Sequence, residues 1–341
     1  MIVSILVIFL ILFLRYNLNQ SYSEKKENNY CYVIYAILIL LAGMRYVIPD
    51  SDVMGYMEYY NGMGDMNWSE ISERWDGNYV MYYYMCKAFS YTHLPYQFWF
   101  GFLELLYISG FARLINKFSA DKLFAIFIFF TIGLFGFSLY ALKQVAAMAI
   151  IWHAFAFFYD KKYIHVAILS VVAFYCHKTS AFFMLSFALV LLKNIRLFYV
   201  IITSLVITVL AAPGLVFSLL ANSVDDEHYL IYLDKSSEAT YTVLILYTLL
   251  FIAAIMGNKN KRLNKEDDNI VMGLALISVV VQLFSQISGT AFRLALYYTP
   301  FLLILLSNNV KNRNVRIGII VFLTVFMLYS GRQFPYRFFW Q

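Results

Sequence analysis

Long apolar segments separated by short polar connections dominate the chain. A helix needs about 20 apolar residues to cross a bilayer, with a usual range of roughly 17–25. Segments that reach or approach this length cover residues 1–15, 30–47, 97–115, 122–140, 142–159, 163–176, 179–193, 197–219, 240–256, 270–288, 291–307 and 315–330. Several of them are short enough to be tilted, half-buried or broken. The pattern predicts an all-α, polytopic integral membrane protein with about twelve transmembrane helices.

The composition excludes a water-soluble globule. Of 341 residues, 62% are hydrophobic and 13% are charged, whereas a soluble domain carries roughly 45–50% apolar and about 25% charged residues. The three cysteines, Cys31, Cys86 and Cys176, are not spaced as C-x-x-C, so neither a disulfide framework nor a structural metal site is indicated. Without a repeat of fixed period or a low-complexity tract, the sequence predicts a single transmembrane domain over residues 1–341.

The basic residues indicate the orientation of the helices. No Lys or Arg precedes the first segment, so it lacks the basic region of a cleavable signal peptide and is predicted to start outside. Alternating sides from there puts 17 of the 26 basic residues in cytoplasmic connections, as the positive-inside rule favours. The sequence therefore predicts outer loops at 48–96 and 220–239. The first is rich in Tyr, Trp and Met, which suits amphipathic helices on the membrane surface.

Cationic and polar side chains recur at the predicted outer ends of the spans: Arg45, Lys143, Gln144, His177, Lys178 and Arg293. Charge is costly to desolvate in a membrane, so such positions carry a functional hypothesis. Four cations at one depth can converge on a polyanionic headgroup, and Arg forks with Lys point charges suit a pyrophosphate. The alternative is that they are snorkelling anchors, which the topology rule disfavours on this side.

Polar groups also lie within the spans. Gln282, Ser285 and Gln286 recur on one helical face that points toward the Arg293 end. Such a face lines a cavity or packs against another helix, and both interpretations remain open. Deeper in their spans, Glu104 and His153 are interpreted as buried, hydrogen-bonded structural groups.

Two aspartates follow Arg45 closely. Asp50 and Asp52 flank Ser51 directly after Pro49, and Tyr56 comes four residues later. A turn at Pro49 presents a carboxylate beside a guanidinium just above the membrane. An ordinary helix-capping Asp after a span is the alternative.

These segments resemble, in order, motifs of EpsG-like, Wzy-type bacterial polysaccharide polymerases. Residues 45–56 are similar to an Arg-x-x-x-Gly-x-x-Asp-x-x-x-Tyr motif, Lys143-Gln144 to an Arg-Gln-x-x-Ala element, and residues 174–180 to a Phe-His-x-Ser-Ala element. Arg293, with tyrosines four and five residues later, is similar to a later Arg-x-x-x-Tyr stretch. The resemblance covers roughly residues 30–335. This chain has Pro49 where Gly is commoner and Lys143 where Arg is commoner.

The resemblance implies a glycosyltransferase with a GT-C-like polymerase/ligase architecture and amphipathic loop helices at the outer face. It would transfer a growing glycan from undecaprenyl pyrophosphate to a lipid-linked repeat unit at the outer face of the bacterial inner membrane. The product, an O-antigen, capsule or exopolysaccharide, is left open. The implied partners are the undecaprenyl-pyrophosphate-linked oligosaccharide and membrane lipid, with a flippase and a chain-length regulator alongside, and no nucleic acid.

The acceptor hydroxyl needs a base, and the candidates are His177 and Asp52. We prefer His177, because neighbouring cations disfavour the imidazolium form and keep the ring neutral. Asp52 would then orient Arg45 or the acceptor. The substrate-binding set comprises Arg45, Asp50, Tyr56, Lys143, Gln144, Lys178, Gln286 and Arg293. No cofactor or metal is predicted, since these cations can stabilise the leaving group, although Asp50-Ser51-Asp52 has a spacing compatible with a metal.

Two other classes of membrane protein have a comparable number of transmembrane spans. A flippase or other transporter would be expected to show internal repeats and charges near the bilayer midplane. Here the charges lie at the predicted outer ends of the spans. A membrane-bound O-acyltransferase would use His177 as base. It needs a route for a cytosolic acyl donor, and the sequence shows no charged path through the membrane.

Overall fold

The structure is a computed structural model, and the all-α class is confirmed in it. It describes residues 2–49, 51–75, 79–191, 241–257, 263–283, 292–329 and 336–340, together with residues 197, 200, 201, 203, 204, 207, 208, 211 and 212. Within these ranges the regular structure is helical, apart from one isolated antiparallel bridge between Arg45 and Phe338. The predicted loop 220–239 and most of the predicted span 197–219 lie outside the described residues.

The first eleven helices are α1 (Ile2–Gln20), α2 (Glu24–Gly43), α3 (Asp52–Gly62), α4 (Trp68–Arg74), α5 (Val80–Ser90), α6 (Tyr96–Phe118), α7 (Lys122–Thr131), α8 (Leu134–Ser138), α9 (Leu142–Tyr159), α10 (Tyr163–Cys176) and α11 (Ser180–Leu191). The next five described helices are α12 (Tyr241–Met256), α13 (Lys265–Val281), α14 (Phe292–Ala295), α15 (Thr299–Asn309) and α16 (Arg313–Tyr329).

Three described helices, α1, α6 and α9, are long and apolar enough to cross a membrane. Three shorter apolar helices are α7, α10 and α12. The chain is therefore a membrane protein, while the total of about twelve spans and the GT-C-like architecture stay predictions. The limits of α9 and α10 coincide with the predicted segments 142–159 and 163–176.

Two predicted spans are divided. Residues 122–140 form α7 and α8, separated at Gly133, whose φ of 91° is a left-handed conformation that glycine adopts without a Cβ clash. Residues 292–307 form α14 and the first part of α15, with a turn at residues 296–298 and Pro300 in the first turn of α15. Proline fits a first helical turn, where an N–H has no intrahelical partner.

The chain divides into two compact units. The first comprises Met1–Lys117, Asp121–Ser180 and Arg316–Gln341, and the second comprises Phe118–Ala120 and Ala181–Val315. In the first unit every residue of α7 is buried, and α1 and α2 pack against it. In the second unit every residue of α15 is buried, with α12 and α13 packed against it. Each unit is thus built around one apolar helix that its neighbours cover.

The predicted outer loop 48–96 folds into α3, α4 and α5. Lys87 of α5 is buried, and its Nζ donates to the backbone oxygens of Met63 at 3.0 Å and Gly64 at 2.9 Å. The Tyr60 hydroxyl donates to the Leu94 oxygen at 2.6 Å. The Lys87 contacts hold the turn after α3 against α5, and the Tyr60 contact joins α3 to the residues just before α6. The loop helices are present, and their position on a membrane surface stays a prediction.

One part-buried carboxylate of the first unit, Asp121, should contribute strongly to stability. Asp121 Oδ2 accepts from Arg15 Nη2 at 2.8 Å and from Arg316 Nη1 at 2.6 Å, with all three side chains at most 20% exposed. Asp121→Asn keeps the helix cap to Phe124 but leaves two guanidinium groups without a counter-charge. We expect a loss of about 3 kcal/mol in unfolding free energy, measured by denaturation in detergent.

Asp160→Asn is the matched control, because Asp160 also bridges two cations but is 38% exposed. Hydrogen bonding to Lys117, followed by the charges of Lys117 and Arg113, lowers the pKa of Asp160. Exposed pairs contribute only about 0–1 kcal/mol, so this variant should be nearly neutral. Equal effects of the two substitutions would contradict the assignment.

Candidate active site

The end of α2 is packed closely against α6, which fixes the start of the site. A Cβ on Gly43 would lie 2.9 Å from the Gln97 backbone oxygen, and the backbone of Gly101 is next to it. Small residues on both helices permit this approach. It brings Arg45, two residues beyond α2, over the Phe100 ring, with 4.6 Å between the guanidinium carbon and the ring centroid.

Arg45 is 6% exposed, and only part of its hydrogen-bonding capacity is used. Its Nη1 donates to the Ala42 oxygen at 2.7 Å, whereas its buried Nη2 has no hydrogen-bond partner within the described ranges. The negative charge of Glu104, which is also buried, attracts the Arg45 guanidinium electrostatically. A buried charged donor without a partner is costly, so this guanidinium is suited to hold an anionic ligand.

Arg45 lines a small, open pocket, here called the Arg45 pocket. Its lining residues are Arg45, Tyr46, Ile48, Ser51, Val53, Leu139, Tyr140, Tyr336 and Arg337. Tyr336 and Arg337, from the segment 336–340, form one wall. Tyr46 N donates to the Arg337 oxygen at 2.8 Å, and Phe339 N donates to the Met44 oxygen at 2.9 Å.

Lys143, the second residue of α9, is surrounded by three tyrosine rings. Its Nζ lies 4.2 Å from the ring centroid of Tyr79, 5.1 Å from that of Tyr83 and 5.6 Å from that of Tyr56. Each distance is within the range of a cation–π interaction. Tyr79 precedes α5 and has a left-handed backbone, with φ of 61°. We call Tyr56, Tyr79, Tyr83, Lys143 and His177 the Tyr79 cluster.

His177 reaches the same cluster from the end of α10. Its backbone N–H donates to the Ala173 oxygen at 2.9 Å and terminates the helix. Its Nδ1 lies 2.6 Å from Thr179 Oγ1, and its ring centroid is 5.3 Å from that of Tyr79. The structure therefore brings together one residue from each of three predicted motifs, Tyr56, Lys143 and His177, around Tyr79.

The Arg45 pocket and the Tyr79 cluster adjoin. Val53 lines the pocket, and Tyr56, one helical turn later on α3, belongs to the cluster. Residues three apart on a helix are neighbours on its surface. The start of α3 therefore links the pocket lined by Arg45 to the cluster that holds Lys143 and His177, within the first unit.

Several tyrosines of the site are neutral phenols. Burial raises the pKa of Tyr82 and Tyr83 well above the usual range, and the nearby phenols reinforce the shift. Burial raises the pKa of Tyr336 to about 12, although Arg45 opposes it. These groups can therefore donate hydrogen bonds or present ring faces, but they are not bases near neutral pH.

The other predicted residues are placed differently. Asp52 is exposed at the first position of α3, where Ser51 is the cap, and it forms no ion pair with Arg45. Gln144 is buried, and Lys178 is half-buried with no hydrogen bond or ion pair described. Arg293 is exposed on α14 in the second unit. Asp50 and Gln286 lie outside the described residues.

The two deep polar groups each meet only part of the expectation that they are buried and hydrogen-bonded, since His153 is half-buried and Glu104 Oε1 has no partner among the described residues. His153 Nε2 lies 3.0 Å from Ser109 Oγ, which links α9 to α6. Glu104 is 2% exposed and acts on Arg45. The charge of the deeper Glu104 thus influences Arg45, whereas the neighbouring Asp52 forms no ion pair with it.

Sequence reasoning missed Tyr79, Tyr83, Tyr140, Tyr336 and Arg337. The abundant tyrosines suggest an interfacial belt and core packing, and nothing local distinguishes these four. Arg337 could have been noticed, because it is one of only nine basic residues on the predicted outer side. Its position in the pocket depends on the pairing of residues 44–46 with the C-terminal segment.

The ring of Tyr79 should matter for turnover more than its hydroxyl. We expect Tyr79→Phe to retain near-normal activity, because the face over Lys143 remains. Tyr79→Leu removes an interaction of about 1–2 kcal/mol, so the initial rate of product formation should fall about 5–30-fold.

Tyr91→Leu is the control, since Tyr91 makes a similar contact with Lys87, 4.8 Å from Nζ to centroid, outside the cluster. A loss as large in Tyr91→Leu as in Tyr79→Leu would mean that the effect is structural.

Comparison with known proteins gives one match. A sequence model of the EpsG family matches residues 28–340, a range that includes both the Arg45 pocket and the Tyr79 cluster. No curated protein and no solved structure matches the chain.

Proposed function

Because the chain belongs to the EpsG family, we propose that it is a polysaccharide polymerase that uses a polyprenyl-pyrophosphate-linked glycan as donor. The match confirms the resemblance seen in the sequence motifs and supports a polymerase-like role. The proposal adds the undecaprenyl carrier, the lipid-linked acceptor and a site that opens to the outer face of the bacterial inner membrane. A flippase would supply the acceptor, and a chain-length regulator would act on the product.

The observation that carries the proposal is the buried Arg45 guanidinium. Its Nη2 has no partner among the residues that the structure describes, and Arg45 lines the Arg45 pocket. A pyrophosphate oxygen would accept from Nη2 in a charge-assisted hydrogen bond. The leaving group of a polyprenyl-pyrophosphate donor has the required charge, and its lipid tail accounts for a site within a membrane protein.

The reaction is a substitution at the anomeric carbon of the donor sugar. The acceptor hydroxyl oxygen forms a bond to that carbon, and the bond from the carbon to the pyrophosphate oxygen breaks. The pyrophosphate leaves with the electron pair, and the hydroxyl proton passes to a base. Arg45 and Lys143 would stabilise the charge that develops on the leaving group.

We propose His177 as the base. When Nδ1–H donates to Thr179 Oγ1, Nε2 carries the lone pair that accepts the acceptor proton. Tyr79 contacts both His177 and Lys143 and would position the base relative to the cation. Lys178, Gln144 and Tyr56 remain proposed substrate-binding residues.

The test uses purified full-length protein in nanodiscs with a lipid-linked oligosaccharide. The proposal expects a ladder of extended products that Arg45→Ala abolishes. A translocated but unextended lipid would indicate a flippase, and an acylated sugar would indicate an O-acyltransferase. Either of these two results would overturn the proposal.

A further inference from the structure

A second arginine lines the Arg45 pocket, and it comes from the segment 336–340. Arg337 lines the pocket next to Tyr336. Backbone hydrogen bonds to residues 44 and 46 hold this segment, and the Tyr336 hydroxyl donates to the Leu41 oxygen at 2.9 Å. The side chain of Arg337 takes part in none of these bonds, so the wall is fixed independently of it.

The charges around the pocket favour an anion with two adjacent phosphate groups. Arg45 and Arg337 are lining residues, and no carboxylate belongs to the described lining. Glu104 acts on Arg45 but does not line the pocket. Arg45 is buried, whereas Arg337 is exposed. Two guanidinium forks, one buried and one accessible, suit two linked phosphate groups better than a single phosphate.

We propose that Arg337 is a second ligand for the carrier pyrophosphate and that residues 336–340 form a wall of this subsite. The inference rests on the proposed function, because it takes the donor to be a polyprenyl pyrophosphate. Arg45 holds one phosphate group and Arg337 holds the other. The segment thus binds substrate in addition to its backbone pairing with residues 44–46.

The experiment measures binding by calorimetry on the full-length protein in nanodiscs. The probes are inorganic pyrophosphate, inorganic phosphate and farnesyl pyrophosphate, which separate a free anion from a lipid headgroup. Arg337→Ala should weaken both pyrophosphate probes about tenfold and phosphate much less, and Arg337→Lys should restore part of the affinity. Arg313→Ala, an exposed arginine outside the pocket, is the control. Thermal unfolding of Arg337→Ala should match the wild type.

Unchanged pyrophosphate affinity in Arg337→Ala, or an equal loss in Arg313→Ala, would overturn the inference. Polymerisation without pyrophosphate binding at the pocket would also overturn it while leaving the proposed function intact. Arg337-dependent binding without any product ladder would support the subsite and reject the polymerase function. Tighter binding of farnesyl pyrophosphate than of free pyrophosphate would identify the lipid headgroup as the ligand.

Discussion

Arg45→Ala is expected to lower the rate of polymerisation by about 10²–10³. Loss of one preorganised donor to a developing anion typically removes about 3–4 kcal/mol of transition-state stabilisation. Arg45 should reach that value because its Nη2 is buried and has no partner in the described part of the chain. Arg45→Lys should be better tolerated than alanine, since it keeps the charge but loses the fork that also donates to Ala42.

The main competing explanation for a lower rate in Arg45→Ala is misfolding around a buried carboxylate that has lost its neighbouring cation. Arg45→Ala leaves Glu104 buried without the cation that acts on it. The double variant Arg45→Ala/Glu104→Gln removes that charge, so it should recover thermal stability without recovering the polymerisation rate. Recovery of the rate in the double variant, or wild-type activity in Arg45→Ala, would show that Arg45 is structural.

Much of the helical fold could be predicted because the length of an apolar run is a local property. The limits of α9 and α10 follow from such runs and their polar ends. The break at Gly133 could not be predicted, because a glycine within an apolar run continues a helix as readily as it adopts a positive φ. Whether it does so depends on how α7 and α8 pack against the rest of the first unit.

The candidate site could be predicted only in part for a related reason. Arg45, Lys143 and His177 carry their own sequence signals, since each is a polar group next to an apolar segment. Tyr79 and Arg337 acquire their positions through contacts with residues far away in the chain. Proximity in the sequence also misled: Asp52 starts a helix, while Arg45 packs on Phe100 and is influenced by the charge of Glu104.

His177→Ala is expected to lower the rate by about 10²–10⁴, the range for removal of a general base. The acid limb of the pH–rate profile should also flatten, because the wild-type ring loses its acceptor lone pair when it is protonated at low pH. Thr179→Val should cause a smaller loss, since it removes only the hydroxyl that lies 2.6 Å from Nδ1.

Asp52→Asn is the decisive comparison, because Asp52 was the other candidate base. Its exposure at the first turn of α3 predicts a small effect, typical of a helix-terminal carboxylate. Thr179→Ser, which retains the hydroxyl, should restore most of the activity lost in Thr179→Val. If Asp52→Asn abolished polymerisation at normal protein levels while His177→Ala retained it with an unchanged pH profile, the two roles would have to be exchanged. The Tyr79 cluster would then serve to bind substrate rather than to move the acceptor proton.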